Sequence, residues 1–447
     1  MSPLSTVLIA NRGEIALRIL RACHQLGLRT VVVYSTADRD APYVRHADQA
    51  VHIGPSAAGK SYLSTEAIVR AAREVGADAV HPGYGFLSER ASFAEAVRDA
   101  GLTFVGPSPE VIAEMGDKAV ARGLAERAGV PTVPGTQGGP LDDAVAAAAT
   151  VGYPVLVKAA AGGGGRGIRQ AEDENELREA FPGASQEAAT AFGDPTVYVE
   201  KQLLRARHVE VQVLADTHGN VVHCFDRECS LQRRRQKILE EAPSPAVAPE
   251  CRLELAGAAV RLAREVGYVS AGTVEFLLDE DGKFYFIEMN TRIQVEHPIT
   301  EAVTGVDLVA EQLRVAAGDS LSWRQEDITL RGAAIECRIN AEDPSADFAP
   351  SPGQITRLEL PGGPGVRVDT ALSQGDVVSP YYDSLVMKLV VSGRDRAEAL
   401  ARTRQALQEL TIDGVATTAD LHRRLINEPE LARGDYHTSW LEGYLAR

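Results

Sequence analysis

The 447-residue chain is short of cysteine, of long apolar runs and of net positive charge, and each shortage excludes something. Five cysteines (Cys23, Cys224, Cys229, Cys251 and Cys337) are an odd number, give no disulfide framework and point to a reducing compartment. Cys224 and Cys229 have no second pair at zinc spacing, so no structural zinc is expected. Nothing approaches eighteen uninterrupted apolar residues, which argues against a membrane span. The start, MSPLSTVLIANRGE, has no basic segment ahead of its short apolar run, which reads as a strand rather than a secretory leader. A formal net charge of −16 speaks against a general nucleic-acid binder, yet it leaves room for a local basic pocket for an anionic substrate. A cytoplasmic location is expected.

What is present is ordinary globular composition, long enough for two or three domains. STVLIA and RTVVVYS are β-branched runs separated by GEIALRILRACHQLG, whose apolar spacing is helical and closes at Gly27. ADAVHPG and LTFVGPS repeat the strand-to-turn pattern, so a parallel, Rossmann-like sheet is expected. Asn11-Arg12-Gly13-Glu14 stands where the dinucleotide glycines would be, so NAD binding is not. A helix in DKAVARGLAERAGV leads into the Pro/Gly-rich PTVPGTQGGP, a domain edge. YPVLVKAAA, GIRQA, TVYVEKQL and HVEVQVLAD read as strands, and GTVEFLLD and KFYFIEMN as a hairpin about Asp281-Gly282. From Arg331 come shorter strands (GAAIECRIN, GQITRLEL, LVMKLVVSG) and the helix RAEALARTRQALQEL.

The run KAAAGGGGRGIR (158–169) is not a Walker loop, because its lysine precedes the glycines and a strand follows them. It reads as a hairpin tip whose N–H groups can cover a polyphosphate, or as a slack surface turn. The hairpin places Glu275 and Glu288 on neighbouring strands with Asn290 two residues on. Side chains alternating with period two can bring both carboxylates to one face, where oxygen donors suit magnesium. Val274, Phe276 and Leu277 crowd Glu275, and a carboxylate in apolar surroundings calls for a cation partner. In TRIQVEHPITE, Arg292, Gln294 and Glu296 alternate, so a guanidinium, an amide and a carboxylate share a face suited to a small planar oxyanion with a base beside it.

MGDK with Lys118, the glycine run with Lys158, EKQL, RHVEVQVL with His208, and EMNTRIQVEHPITE together resemble the ATP-grasp biotin carboxylases. NRGEIALRILRA, HPGYGFLSE, GPSPEVIAEMGDK, SLQRRRQKILEEAP, ECRINAEDP and SPGQITRL follow the same family pattern in the same order, from about residue 5 to about 445. The resemblance implies an α/β fold (α+β overall) with a Rossmann-like N-terminal domain (1–115), a central ATP-grasp domain (116–330) with a mobile lid at about 134–204, and a C-terminal biotin carboxylase domain (331–447). It implies that Lys118, Lys158, Gly163, Gly164, Gly165, Glu200, Lys201, Leu203, His208, Gln232, Arg235, Glu275 and Glu288 contact ATP. Glu275, Glu288 and Asn290 would hold magnesium or manganese. Lys237, Arg292, Gln294 and the Val295 backbone would bind bicarbonate, with Glu296 as base. Arg338 would offset charge on a biotin enolate, and Tyr84 would contact biotin.

The implied reaction is ATP-dependent carboxylation of biotin through carboxyphosphate, the first half-reaction of an acyl-CoA carboxylase. Biotin would be borne by a separate carrier protein, with carboxyltransferase subunits in trans and a homodimeric carboxylase. A component of a pyruvate, urea or other acyl-CoA carboxylase, another ATP-grasp ligase, or a regulator without catalysis are the alternatives. Two positions depart from the family pattern: Ala161 where a fifth glycine is common, and Arg235 where histidine is typical. VMKL (386–389) resembles a biotin-bearing lysine motif but sits inside a strand-like run, so Lys388 is not read as a biotin carrier.

Overall fold

The structure is a computed structural model that describes residues 4–136, 138–160 and 168–447. Five parallel strands, β1 (Thr6–Ile9), β2 (Arg29–Ser35), β3 (Gln49–Gly54), β4 (Ala79–His81) and β5 (Thr103–Phe104), form a sheet ordered β3-β2-β1-β4-β5. Val7, Leu8 and Ile9 are wholly buried, as expected of a parallel strand covered on both faces. The Rossmann-like expectation holds here.

A three-stranded antiparallel unit follows: β6 (Val155–Ala159), β7 (Arg169–Ala171) and β8 (Val197–Lys201), ordered β7-β6-β8. Helices Leu141–Val151 and Glu174–Phe192 pack on it, and Val155, Val157, Leu177, Phe181, Val197 and Val199 give it a core of its own. The sequence places the glycine run at the tip between β6 and β7. Gly163, Gly164, Gly165 and Ala161 lie outside the described residues.

The largest sheet is antiparallel and has eight strands. It contains β9 (Arg207–Ala215), β10 (Val221–Arg233), β11 (Gln236–Ala242), β12 (Ser270–Leu278), β13 (Phe284–Asn290), β14 (Ala333–Asn340) and the strands Val366–Thr370 and Leu385–Gly393. The order is β13-β12-β9-β10-β11-β14, then 385–393, then 366–370, so it runs unbroken across residue 330. GQITRLEL, expected as one strand, is two short pieces, Gly353–Gln354 and Arg357–Glu359. Each pairs with a different segment, 377–378 and 411–413, so no single ladder can continue through both. Val7, Ile9 and Ile19 of the first domain share an apolar cluster with Leu214, Ala271 and Leu308. Burying a side chain of that kind contributes about 1.5–3 kcal/mol, so this contact fixes the N-terminal sheet against the large one. A cleft of about 1190 Å³ opens between the N-terminal sheet, the β6–β8 unit and the large sheet.

Candidate active site

β12 and β13 are joined through a turn in which Gly282 adopts φ +78°, a conformation that suits glycine. The resulting register sets Glu275 directly opposite Glu288, so both side chains leave the same face of the hairpin. Glu275 is buried and accepts from Asn290 Nδ2 and Gln294 Nε2, each at 2.8 Å. Lys237 Nζ lies 3.0 Å from its Oε1, and His208 Nε2 lies 2.9 Å from its Oε2. Burial would raise this carboxyl, but Lys237 and His208 hold it well below its ordinary range. Glu288 has no ion pair or hydrogen-bond donor among the described residues. Burial first, and then the charge of Glu275, push it up.

Lys237, near the start of β11, gathers the site. Its ammonium donates to Glu210 (2.6 Å), Glu275 (3.0 Å) and Glu296 (2.7 Å), on β9, β12 and the residue before helix His297–Thr304. Desolvation disfavours its charge, yet the carboxylates raise the ammonium well above its ordinary value. Glu296 is 2% exposed, and its second oxygen accepts from Arg338 Nη2 at 2.9 Å. Burial alone would raise Glu296; Lys237, Arg338 and Arg227 overcome it and keep the carboxylate ionised. An ionised carboxylate gripped by two cations is ready to take a proton once an anionic substrate competes for them.

Arg292 donates to Glu89 (2.9 Å) and to Asn290 Oδ1 (3.0 Å), linking the expected oxyanion face to the N-terminal domain. Gln294 Oε1 accepts from Arg227 at 2.5 Å, and the Val295 carbonyl accepts from Lys388 at 2.9 Å. Arg227 is fully buried. Its guanidinium donates to Glu210, Gln212, Thr300, Thr273 and Gln294, which satisfies its fork.

At the other end of the cleft lies a group of cations. Lys158 pairs with Glu200 across β6 and β8, and Lys118 begins helix Lys118–Arg127 behind its Asp117 cap. Burial, then the nearby charges of Lys158 and Arg235, pull Lys118 down against Glu288 and Glu200. Arg234 and Arg235 form the two-residue tip of the β10–β11 hairpin at φ +48° and +67°, the left-handed pair such a turn needs. Arg235 lines the cleft without an ion pair among the described residues. Gln232 Nε2 lies 2.9 Å from His208 Nδ1, and burial of the imidazole is outweighed by Glu275, which raises it above its ordinary value. Leu203 lines the cleft, whereas the Lys201 ammonium is engaged by the carbonyls of Gly152 (2.9 Å) and Tyr153 (2.8 Å), so only its stem faces inward. Tyr84 reaches the cleft and donates its hydroxyl to Glu14. Of the site residues expected from sequence, every one outside the undescribed glycine tip borders this one cleft.

Sequence reasoning missed Glu89, Glu210, Arg227 and Glu240. A signal existed for Glu210: it stands on the alternating run HVEVQVLAD, where both faces turn out to be buried. A charge in a doubly buried strand needs a partner.

Comparisons with known proteins meet this geometry. The family model "Biotin carboxylase, N-terminal domain" matches residues 3–112, "Carbamoyl-phosphate synthase L chain, ATP binding domain" matches 117–324, and "Biotin carboxylase C-terminal domain" matches 336–443. The biotin carboxylase of Pseudomonas aeruginosa is 55% identical over 442 residues, 98% of each chain. This chain belongs to the biotin carboxylase family. A subunit of the pyruvate carboxylase of Methanothermobacter thermautotrophicus is 52% identical over 98% of this chain and 90% of its own. The biotin carboxylase domain dimer of Hydrogenobacter thermophilus 2-oxoglutarate carboxylase, solved with MgADP, ADP and bicarbonate, is 48% identical with a TM-score of 0.93 (99% and 98% covered). As a biotin carboxylase the chain is an ATP-dependent carboxylase ligase, and no helix among its described residues is long and apolar enough to cross a membrane.

Proposed function

We propose that this biotin carboxylase carries out the first half-reaction of an acyl-CoA carboxylase, carboxylating biotin on a separate carrier protein, with carboxyltransferase subunits in trans and as a homodimer. The observation that carries the site assignment is Glu296 held between Lys237 and Arg338, beside two carboxylates suited to a cation. Residues 1–115, 116–330 and 331–447 serve as its three domains, with 134–204 as the lid. The relatives include part of a pyruvate carboxylase and a 2-oxoglutarate carboxylase domain, so the acceptor is the part to test first.

Lys118, Lys158 and Arg235, with Glu200, Lys201, Leu203, His208 and Gln232, receive ATP. Leu203, Leu277 and Ile287 give the cleft apolar surface for the base of ATP, and the cations take its phosphates. Glu275, Glu288 and the Asn290 amide oxygen fit a divalent cation. They are hard oxygen donors, and Glu288 is a half-buried carboxyl with no hydrogen-bond donor among the described residues, pushed up by desolvation and by Glu275. Magnesium bound there offsets charge on the transferring phosphoryl group. Lys237, Arg292, Gln294 and the Val295 backbone hold bicarbonate. Glu296 removes its proton as an oxygen attacks the γ-phosphorus and the bond to ADP breaks, giving carboxyphosphate and ADP. The lid excludes water while carboxyphosphate releases CO2. Arg338 then offers its charge to the ureido oxygen of biotin as the released phosphate takes the proton of the ring nitrogen and that nitrogen attacks the CO2, and Tyr84 borders the same pocket.

Phosphate release with free biotin, ATP, magnesium and bicarbonate tests the activity; it should need both biotin and bicarbonate. Glu296→Ala should abolish it with little loss of ATP affinity, and intact turnover would overturn the base assignment. Affinity capture of a biotinylated partner from the native cell, followed by an acceptor screen, identifies the carboxylase. Transfer to pyruvate or 2-oxoglutarate in place of an acyl-CoA would refute the acyl-CoA reading.

A further inference from the structure

Behind Arg338 lies a second carboxylate pair that the reaction above does not use. Glu240 on β11 and Glu336 on β14 are directly opposed in register and both fully buried. Arg338 Nε donates to Glu240 Oε1 at 2.5 Å, so this guanidinium is held between Glu240 and Glu296. The other oxygen of Glu240 and both oxygens of Glu336 have no hydrogen-bond partner among the described residues.

The surrounding charges do not supply one. Lys388, on the next strand, is wholly buried, but it is spent on Glu14 (3.1 Å) and the Val295 carbonyl (2.9 Å), with Asp369 at 3.8 Å. The groups facing the pair are Arg338 on β14, Lys237 on β11, Glu296 ahead of helix His297–Thr304 and Lys388, together with the thiols of Cys229 and Cys337. An ionised carboxylate with no donor, buried against a second carboxylate, costs several kcal/mol, whereas a proton on it removes most of that cost. Burial, opposed by Lys388, drives Glu336 well above the ordinary carboxyl range. Burial, opposed by Arg338, pushes Glu240 up to about 7.

We propose that Glu336 is a neutral, proton-holding carboxylic acid and that Glu240 is thereby the single anion behind Arg338, positioning it toward the biotin pocket. A second anion at Glu336 would bind the guanidinium more tightly from behind and draw charge away from the substrate side. The same buried cluster reaches Tyr84 through Lys388 and Glu14, so both side chains assigned to biotin are braced from one place. Glu240 acts through Arg338 and is a positioning residue. The inference rests on the role of Arg338 proposed above.

Two measurements on the full chain test it. Infrared difference spectra of wild type and Glu336→Gln, with nucleotide binding and melting as checks of folding, should show a protonated-carboxyl band near neutral pH that the variant lacks. An unchanged band would overturn the proposal. Glu240→Gln should lower kcat/KM for free biotin by about tenfold or more, the size expected for losing a charged hydrogen-bond partner. It should leave KM for ATP within about threefold. In wild type the biotin-dependent rate should fall as pH drops through about 7 and Glu240 takes up a proton; in Glu240→Gln that step should vanish. Biotin kinetics and a pH profile like wild type in Glu240→Gln would refute the positioning role. Biotin-independent behaviour of the wild type itself would instead refute the role of Arg338.

Discussion

Replacing Lys237 with methionine keeps the aliphatic stem and removes the charge that three buried carboxylates share. Its ammonium lies at 2.6, 3.0 and 2.7 Å from Glu210, Glu275 and Glu296. Without it, Arg227, His208 and Arg338 remain, and either Glu275 or Glu296 must take a proton near neutral pH. Protonating one carboxyl at pH 7 against an ordinary value of about 4.3 spans about 2.7 pH units, and at about 1.36 kcal/mol each that is about 3.7 kcal/mol. The loss agrees with the roughly 3–5 kcal/mol typical of breaking a buried pair from one side. Lys237→Met should therefore melt about 4 °C below wild type near pH 7.

The sign of the pH dependence separates this account from a simple packing defect. In wild type, Glu275 and Glu296 are depressed, so their stabilisation is complete above about pH 4.3 and is lost only as pH falls through their lower folded values. In the variant the unpaired carboxyl binds its proton more readily folded than unfolded. Stability should then rise as pH is lowered from about 8 to about 6. Calorimetry of both proteins across that range decides it. A variant melting within about 1 °C of wild type, or most stable at the alkaline end, would refute the reasoning.

Glu288→Gln should trade function for stability: the protein without nucleotide should melt higher at pH 7–8, because a carboxyl pushed up by burial and Glu275 is gone. The magnesium needed for half-maximal ATP cleavage should rise about tenfold. Arg227→Met should cost about 3–5 kcal/mol and weaken bicarbonate saturation, since Glu210 and Gln294 lose their shared donor; urea unfolding and the bicarbonate KM measure both. Lys201→Met should loosen the β6–β8 unit by about 1–3 kcal/mol through its two carbonyl contacts, read as faster hydrogen exchange within 134–204 while the N-terminal sheet is unaffected.

The sequence was most legible where a local period sets the geometry. Strand alternation alone predicts Glu275 and Glu288 on one face, and the observed register places them opposite each other. The βαβ rhythm likewise predicts the parallel N-terminal sheet. Pairings between distant segments were not legible. Nothing local announces that β11 pairs with β14, ninety-odd residues away, and this pairing brings Glu240 to Glu336 and Arg338 to Glu240. Arg227 was missed for the same reason, because its five acceptors come from four separate stretches of chain. Arg235 was noticed as a departure from pattern, but its aim into the cleft depends on a left-handed turn at two non-glycine residues, which the sequence does not signal.

Oxygen tracing from bicarbonate tests the central claim most directly. If Glu296 deprotonates bicarbonate for attack on the γ-phosphorus, 18O-labelled bicarbonate must deliver one labelled oxygen to the inorganic phosphate released with each biotin carboxylated. The account predicts that labelled phosphate in wild type and none from Glu296→Ala. Phosphate carrying its new oxygen from water instead, at undiminished biotin carboxylation, would contradict it.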